Sequence, residues 1–230
     1  MRNIFIACDT SNVQIIKKII NHTQIKIKGY KIGYKFGLEF FYSKNGRKFI
    51  EKSKVKNIWL DIKIFDIPNT SFSAIKSLKD LKNISYVTVH ASGGIEMLKG
   101  VKKAVKKYNK KIKILGVTVL TSFSNFSIKK VGHTKSIKDL VRRQALLAKT
   151  AKLDGVVCSA HEIKFVKNIC KKMEIVTPGV RLKGQNFDDQ KRVASPKEAF
   201  KNGATSIVMG RSLTKGNIKS NIQKLIKTLN

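Results

Sequence analysis

Three charged residues stand within six positions of the stretch Trp59–Thr70, WLDIKIFDIPNT: Asp61, Lys63 and Asp66. Side chains of a strand alternate between faces, so Asp61 and Lys63 point the same way. Asp66 falls just past the strand, and Pro68 suits the first turn of a following helix. The apolar neighbours Trp59, Leu60, Ile62, Ile64 and Ile67 argue that the segment is buried. Two carboxylates around one ammonium are costly to bury unless they pair with each other and with a substrate. Paired in this way, the lysine stays an acid at neutral pH, set to meet developing negative charge. A surface ion pair at a strand end is the plainer reading, and the apolar neighbours weigh against it.

The elements that position these groups follow one rhythm. Apolar, β-branched runs alternate with helix-period segments along the chain. Strands are expected at Ile4–Cys8, Ile27–Tyr34, Ile58–Lys63, Ile84–His90, Ile112–Leu120, Gly155–Ser159, Glu174–Thr177 and Ser206–Met209. Helices are expected to about Asn21, then near Leu38–Lys54, Asn69–Lys82, Ile95–Lys107, Ile137–Lys152, His161–Lys171, Pro196–Asn202 and Asn217–Leu229. Eight such units in 230 residues predict a (β/α)8 barrel occupying residues 1–230 as a single domain. An open, doubly wound sheet would normally carry a phosphate loop after its first strand, and neither G-x-G-x-x-G nor a Walker motif is there. Active groups of a barrel belong at the C-terminal strand ends. Asp9, Lys35, the Asp61–Asp66 group, Thr121 with Ser122, Pro178–Arg181 and Gly210 with Arg211 all fall there.

Composition narrows the class. The chain is 42% hydrophobic, as a globular fold requires, and has no apolar run of transmembrane length. It begins directly with a strand and a helix cap, MRNIFIACDTSN, so no leader pattern is read and a cytoplasmic protein is expected. Cys8, Cys158 and Cys170 are an odd set without C-x-x-C spacing, which argues against a disulfide framework or a zinc site. The net charge of +34 suggests nucleic acid, but the basic residues are spread over nearly every helical segment and only seven of 48 are arginine. No aromatic-basic stacking ladder accompanies them. A lysine-rich solvated surface is the expectation, with no nucleic-acid or membrane partner. Its positive field would help gather an anionic substrate.

The far end of the chain has the makings of a phosphate site. Gly210 allows close backbone approach, and Arg211 can fork onto phosphate oxygens. The loop after the seventh strand, Thr177–Arg192, is polar and long enough for its residues at about 179–192 to close over a ligand.

The chain resembles the orotidine 5'-phosphate decarboxylase family along essentially its whole length. DIKIFDIPNT matches the family's D-x-K-x-x-D-I-P-x-T. Around it, in order, stand ACD (Ala7–Asp9), KFGLEFF (Lys35–Phe41), VHASGG (Val89–Gly94), TVLTS (Thr118–Ser122), DGVVCSAHE (Asp154–Glu162), TPGVR (Thr177–Arg181), DQKRVASP (Asp189–Pro196) and VMGRSLT (Val208–Thr214). One short motif would be weak; this series is specific.

The resemblance implies a barrel that converts orotidine 5'-phosphate to UMP and CO2 without cofactor or metal. Lys63, Asp61, Asp66 and Lys35 would be catalytic. Lys63 would meet and protonate the C6 carbanion, and Asp61 would hold Lys63 and face the substrate carboxylate. Lys35 would pair with the aspartates and a ribose hydroxyl, and Asp9 would accept from ribose. Asp66 would reach into a neighbouring subunit's site, which makes the protein a homodimer with shared sites. Substrate contacts would come from the motif at large, Ile62, Ile64, Phe65, Ile67, Pro68, Asn69 and Thr70 included. Thr121 and Ser122 would lie near the pyrimidine, Gln190 would link phosphate to base, and Pro178, Arg181, Gly210 and Arg211 would complete the phosphate side. Lys31 also stands in a K-x-G pair, but it would lie deeper in the strand than Lys35. Phe65 departs from the His often found in bacterial relatives, which bears on how Asp66 packs at the interface. Sugar-phosphate enzymes of the same superfamily share D-x-K-x-x-D but need magnesium, with a glutamate ligand where this chain has Lys35.

Overall fold

A computed structural model describes residues 1–182 and 194–229. Eight parallel strands close on themselves in sequence order: β1 (Arg2–Ala7), β2 (Tyr30–Phe36), β3 (Ile58–Ile64), β4 (Ile84–His90), β5 (Lys113–Val117), β6 (Gly155–Val157), β7 (Glu174–Thr177) and β8 (Ser206–Met209), with β8 pairing back onto β1. The expected barrel is therefore the observed fold.

Helices cover the outside, so each strand is buried on both faces and needs apolar residues without alternation. Ile4, Phe5 and Ile6 in β1 are all fully buried. Ile4 and Ile6 face the helix layer, whereas Phe5 joins Trp59, Tyr86, Leu115, Val117, Val157, Val176 and Val208 inside the barrel. Phe5 meets Trp59 and Tyr86 edge-on, at centroid distances of 5.1 and 5.3 Å. Gly33 of β2, opposite Phe5 in register, makes this possible, since a Cβ there would meet the Phe5 ring at 2.6 Å. At the N-terminal rim, Glu174 accepts from Tyr86 and pairs with Lys113. The three cysteines are buried and free, and burial pushes the Cys8 thiol up to about 12.

Local chemistry explains where the elements differ from expectation. β2 starts at Tyr30 because Lys28 and Gly29 form a turn, closed by Tyr30 N–H donating to Ile27 O. Gly29 takes the left-handed φ of 82° that this turn requires. β2 also runs past the expected end at Tyr34, pairing with β3 through Phe36, so Lys35 lies inside the strand instead of after it. The helix expected over 38–54 is two pieces, Leu38–Tyr42 and Gly46–Lys52. The break at Ser43–Asn45 lets Phe40 and Phe49 meet edge-on at 5.4 Å. Asn125–Lys130, capped by a Ser124–Ser127 box, and Arg211–Thr214 are short helices that periodicity does not reveal. Among the described residues, no helix is long and apolar enough to cross a membrane.

With 48 basic and 14 acidic residues, self-repulsion opposes this compact state. Raising NaCl from about 0.02 M to about 0.5 M shortens the Debye length from roughly 20 Å to roughly 4 Å. The melting temperature should rise over that range by several degrees, as followed by circular dichroism. A flat or falling profile would contradict a surface dominated by repulsion.

Candidate active site

β1, β2 and β3 place four charged side chains at the C-terminal mouth in an alternating chain. Register aligns Ala7 with Lys35 and Lys35 with Trp59, so Asp9, Lys35 and Asp61 rise in sequence around the rim. Lys35 Nζ lies 2.8 Å from Asp9 Oδ1 and 3.4 Å from Asp61 Oδ2, and Lys63 Nζ lies 3.0 Å from the same Asp61 Oδ2. Lys35 and Asp61 are buried, Lys63 is half-buried and Asp9 is exposed. Lys31 is four residues earlier in β2 and exposed, at the opposite end from the mouth.

Burial alone raises the Asp61 carboxyl. The Lys35 and Lys63 ammonium groups, with hydrogen bonds from Lys63 and Thr88, outweigh it and leave the carboxyl below its ordinary value. For Lys35, burial pulls the ammonium down, while the Asp61 and Asp9 carboxylates outweigh it and leave it raised. The two partners thus agree that each charge holds the other.

These groups form one wall of a cavity of about 580 Å3, within the usual range for small-molecule sites. Trp59, Val117 and Val157 supply apolar lining, and Pro178, Arg181, Gly210 and Arg211 supply another part of the wall, with Thr121 also present. A Cβ added at Gly210 would meet only Ala7 Cβ, at 3.6 Å, so the space over this glycine belongs to the cavity. Arg181 N–H donates to Ala194 O, which joins the two stems of the seventh loop, and Leu182 N–H donates to Ser212 Oγ at 2.9 Å, which ties that loop to the eighth. A wall of alternating charges and two arginines thus line one cavity.

A family model described as the orotidine 5'-phosphate decarboxylase / HUMPS family matches residues 2–223. The chain belongs to this family. An orotidine 5'-phosphate decarboxylase of Wolbachia sp. subsp. Brugia malayi (strain TRS) is 40% identical over 229 residues, 98% of each sequence. One of Bacillus mycoides (strain KBAB4) is 36% identical over 234 residues, 98% of this chain and 96% of that one. The crystal structure of orotidine 5'-phosphate decarboxylase from Lactobacillus acidophilus is 31% identical and superposes with a TM-score of 0.82 over 100% of both chains.

The family motif Asp61–Thr70 divides at its middle. Asp61 and Lys63 face the cavity, whereas Ile62 and Ile64 pack outward against the helix-side core, so their side chains do not line it. Phe65, Asp66, Ile67, Pro68, Asn69 and Thr70 are all exposed. Ile67 corrects the expectation of burial: it is 67% exposed, and Phe65 is 63% exposed. Asp66 accepts from the Ile67 N–H at 2.7 Å. Asp61 is the carboxylate paired with Lys63, so the bracketing of Lys63 by two aspartates is not formed within one chain. Ser122 is exposed outside the cavity lining, and Gln190 lies outside the described residues, as does most of the 179–192 segment.

Two residues of β4 escaped sequence reasoning. Thr88 is fully buried and hydrogen-bonds to Asp61 and to the Lys63 backbone. His90 packs against Phe65 at 5.6 Å between ring centroids, and burial with the nearby Lys63 charge lowers its pKa. Their signal was parity: Thr88 and His90 share the inward face with Tyr86, which pairs in register with Trp59.

The charge chain sets a pH plateau. Asp61 has a depressed folded value, so its contribution is complete above its ordinary 3.8 and lost as pH falls through the folded value. Lys35 has a raised folded value, so its contribution is complete below its ordinary 10.5 and lost as pH rises through the folded value. Lys35→Met should therefore destabilise the protein by a constant amount between about pH 5 and about pH 9. We expect about 2 kcal/mol, less than the ~3–5 kcal/mol of an orphaned buried charge, because Lys63 and Thr88 remain on Asp61. Urea unfolding at several pH values would test this, and a difference that drifts across the plateau would contradict the assignment.

Proposed function

We propose that this chain decarboxylates orotidine 5'-phosphate to UMP and CO2 by a metal-free route, with Lys63 as the acid. The observation that carries the reading is the chain Asp9–Lys35–Asp61–Lys63 on the wall of a cavity that also presents Arg181 and Arg211.

In this reading, the arginines and the open face of Gly210 take the phosphate, and Asp9 and Lys35 take ribose hydroxyls. The C6–carboxylate bond breaks, its electron pair stays on C6, and CO2 leaves. Lys63 Nζ stabilises the developing carbanion and then transfers a proton to C6, after which the neutral amine regains a proton from water. The cation contributes most where charge is greatest, which is the differential stabilisation that catalysis requires. Asp61 keeps Lys63 aimed at that carbon. Thr121 contacts the pyrimidine from the cavity wall, and Gln190, in the segment at about 179–192 that closes over the phosphate, joins phosphate to base. Residues 1–230 act as one domain, in the cytoplasm.

The Lys35 ammonium stands between the Asp9 and Asp61 carboxylates, the place a divalent cation would need. That favours the nucleotide reaction over magnesium-dependent sugar-phosphate chemistry.

The working unit is a homodimer, with Asp66 completing the partner's site. Asp66 lies between two exposed apolar side chains, Phe65 and Ile67, which suits a loop that is covered on association. Through the partner's Asp66, Lys63 would gain its second carboxylate.

The decisive assay follows loss of orotate-ring absorbance in EDTA, with UMP identified as product. The protein should turn over; a folded, inactive dimer would refute the reading. Arg211→Ala should raise KM far more than it lowers kcat. Lys63→Ala and Asp66→Asn should each be nearly inactive, yet mixing them should restore roughly a quarter of wild-type activity, because half of randomly reassorted dimers carry one intact site of two. No recovery after verified subunit exchange would remove the shared site.

A further inference from the structure

Between β3 and β4 the ladder is interrupted. Leu60 pairs with Val87 and Ile64 pairs with Val89. Three residues of β3, Asp61, Ile62 and Lys63, therefore stand against one residue of β4, Thr88. Lys63 absorbs the excess length in the left-handed region, at φ 46°, a conformation that is strained for a residue other than glycine. A bulge of this kind re-aims side chains but leaves backbone groups without ladder partners. Here the Thr88 side chain takes over part of the ladder's work.

We propose that Thr88 is a positioning residue for the reaction, its hydroxyl holding the backbone of Lys63 and the carboxylate of Asp61 at once. Thr88 Oγ1 accepts from Lys63 N–H at 3.0 Å and donates to Asp61 Oδ1 at 2.9 Å. With Oδ1 occupied by that proton, Oδ2 faces both lysines. The donor to Oδ1 and the acceptor at Lys63 are one atom, so the carboxylate and the start of the lysine side chain are fixed relative to each other. β-Branching restricts Thr88 at χ1, and full burial excludes water as a substitute partner. A displacement of about 1 Å in a reacting group can cost about a hundredfold in rate, so this clamp acts on kcat.

The inference rests on the decarboxylase reading, and the wild type separates the two. A folded wild type inactive on orotidine 5'-phosphate refutes that reading; an active one makes the variants informative. Thr88→Val keeps the shape and removes the hydroxyl, and should lower kcat by about tenfold to a hundredfold while KM stays within about threefold. Thr88→Ser keeps donor and acceptor and should stay within about threefold of wild type in kcat. Independently of turnover, the Asp61 carboxyl, followed by carbon-13 NMR, should titrate at higher pH in Thr88→Val than in wild type or Thr88→Ser. Thr88→Ala is read the same way if Thr88→Val does not fold. Wild-type kcat with an unmoved Asp61 titration in a variant lacking the hydroxyl would overturn the proposal. So would a Thr88→Ser that loses as much as Thr88→Val.

Discussion

A carboxylate buried inside a barrel and shared by two ammonium groups is the interaction on which the mouth depends. Asp61 is buried at the cavity wall, where an isolated carboxylate would take up a proton rather than stay charged. Two lysines on one of its oxygens and a hydroxyl on the other resolve that cost. With Asp9 included, two negative and two positive groups alternate, so the array is neutral overall. Neutrality lets it survive burial, and its alternating order keeps a cation at the edge facing the cavity. An additional carboxylate from a partner would sharpen the field at Lys63 without requiring this chain to bury an unbalanced charge.

The same site shows how local disorder of a ladder is used. A regular β3 would pair residue for residue with β4 and leave Lys63 one more step along a strand. The bulge instead lets Asp61 and Lys63 converge on one point, at the cost of a left-handed lysine. The neighbouring aromatic layer gives this irregular rim a firm base. Phe5, Trp59 and Tyr86 pack edge-on directly beneath it, and Gly33 makes the room they need.

The barrel was legible because double burial writes itself as apolar runs, and the charged wall of the cavity because Lys35, Asp61 and Lys63 interrupt such runs. The remainder needed the third dimension. The start of β2 was misplaced because Ile25 and Ile27 look like strand, although the Lys28–Gly29 turn delays pairing to Tyr30. Ile67 looked buried because local apolarity says nothing about whether the covering surface belongs to the same chain. Thr88 carries no charge, and its meaning lies in a register shift between two strands. A single sequence states each strand's residues but not which residue of the next strand they oppose.

The surplus of lysine does different work at long and short range. Outside the cavity, with 48 basic against 14 acidic residues, the protein's field attracts any phosphate anion, and salt screens it within about 8 Å under physiological conditions. That field speeds encounter but cannot tell orotidine 5'-phosphate from UMP, since both carry the phosphate. Discrimination has to arise where screening fails, among buried groups at hydrogen-bond distance. There the chain abandons its general excess of positive charge and sets carboxylates against lysines one for one. In the proposed reaction the substrate's additional carboxylate would face Asp61 as well as Lys63, and the lysine would hold the carbanion that follows loss of CO2 more firmly than that ground state. A uniformly positive pocket would have bound the substrate's carboxylate best of all and stabilised the wrong state.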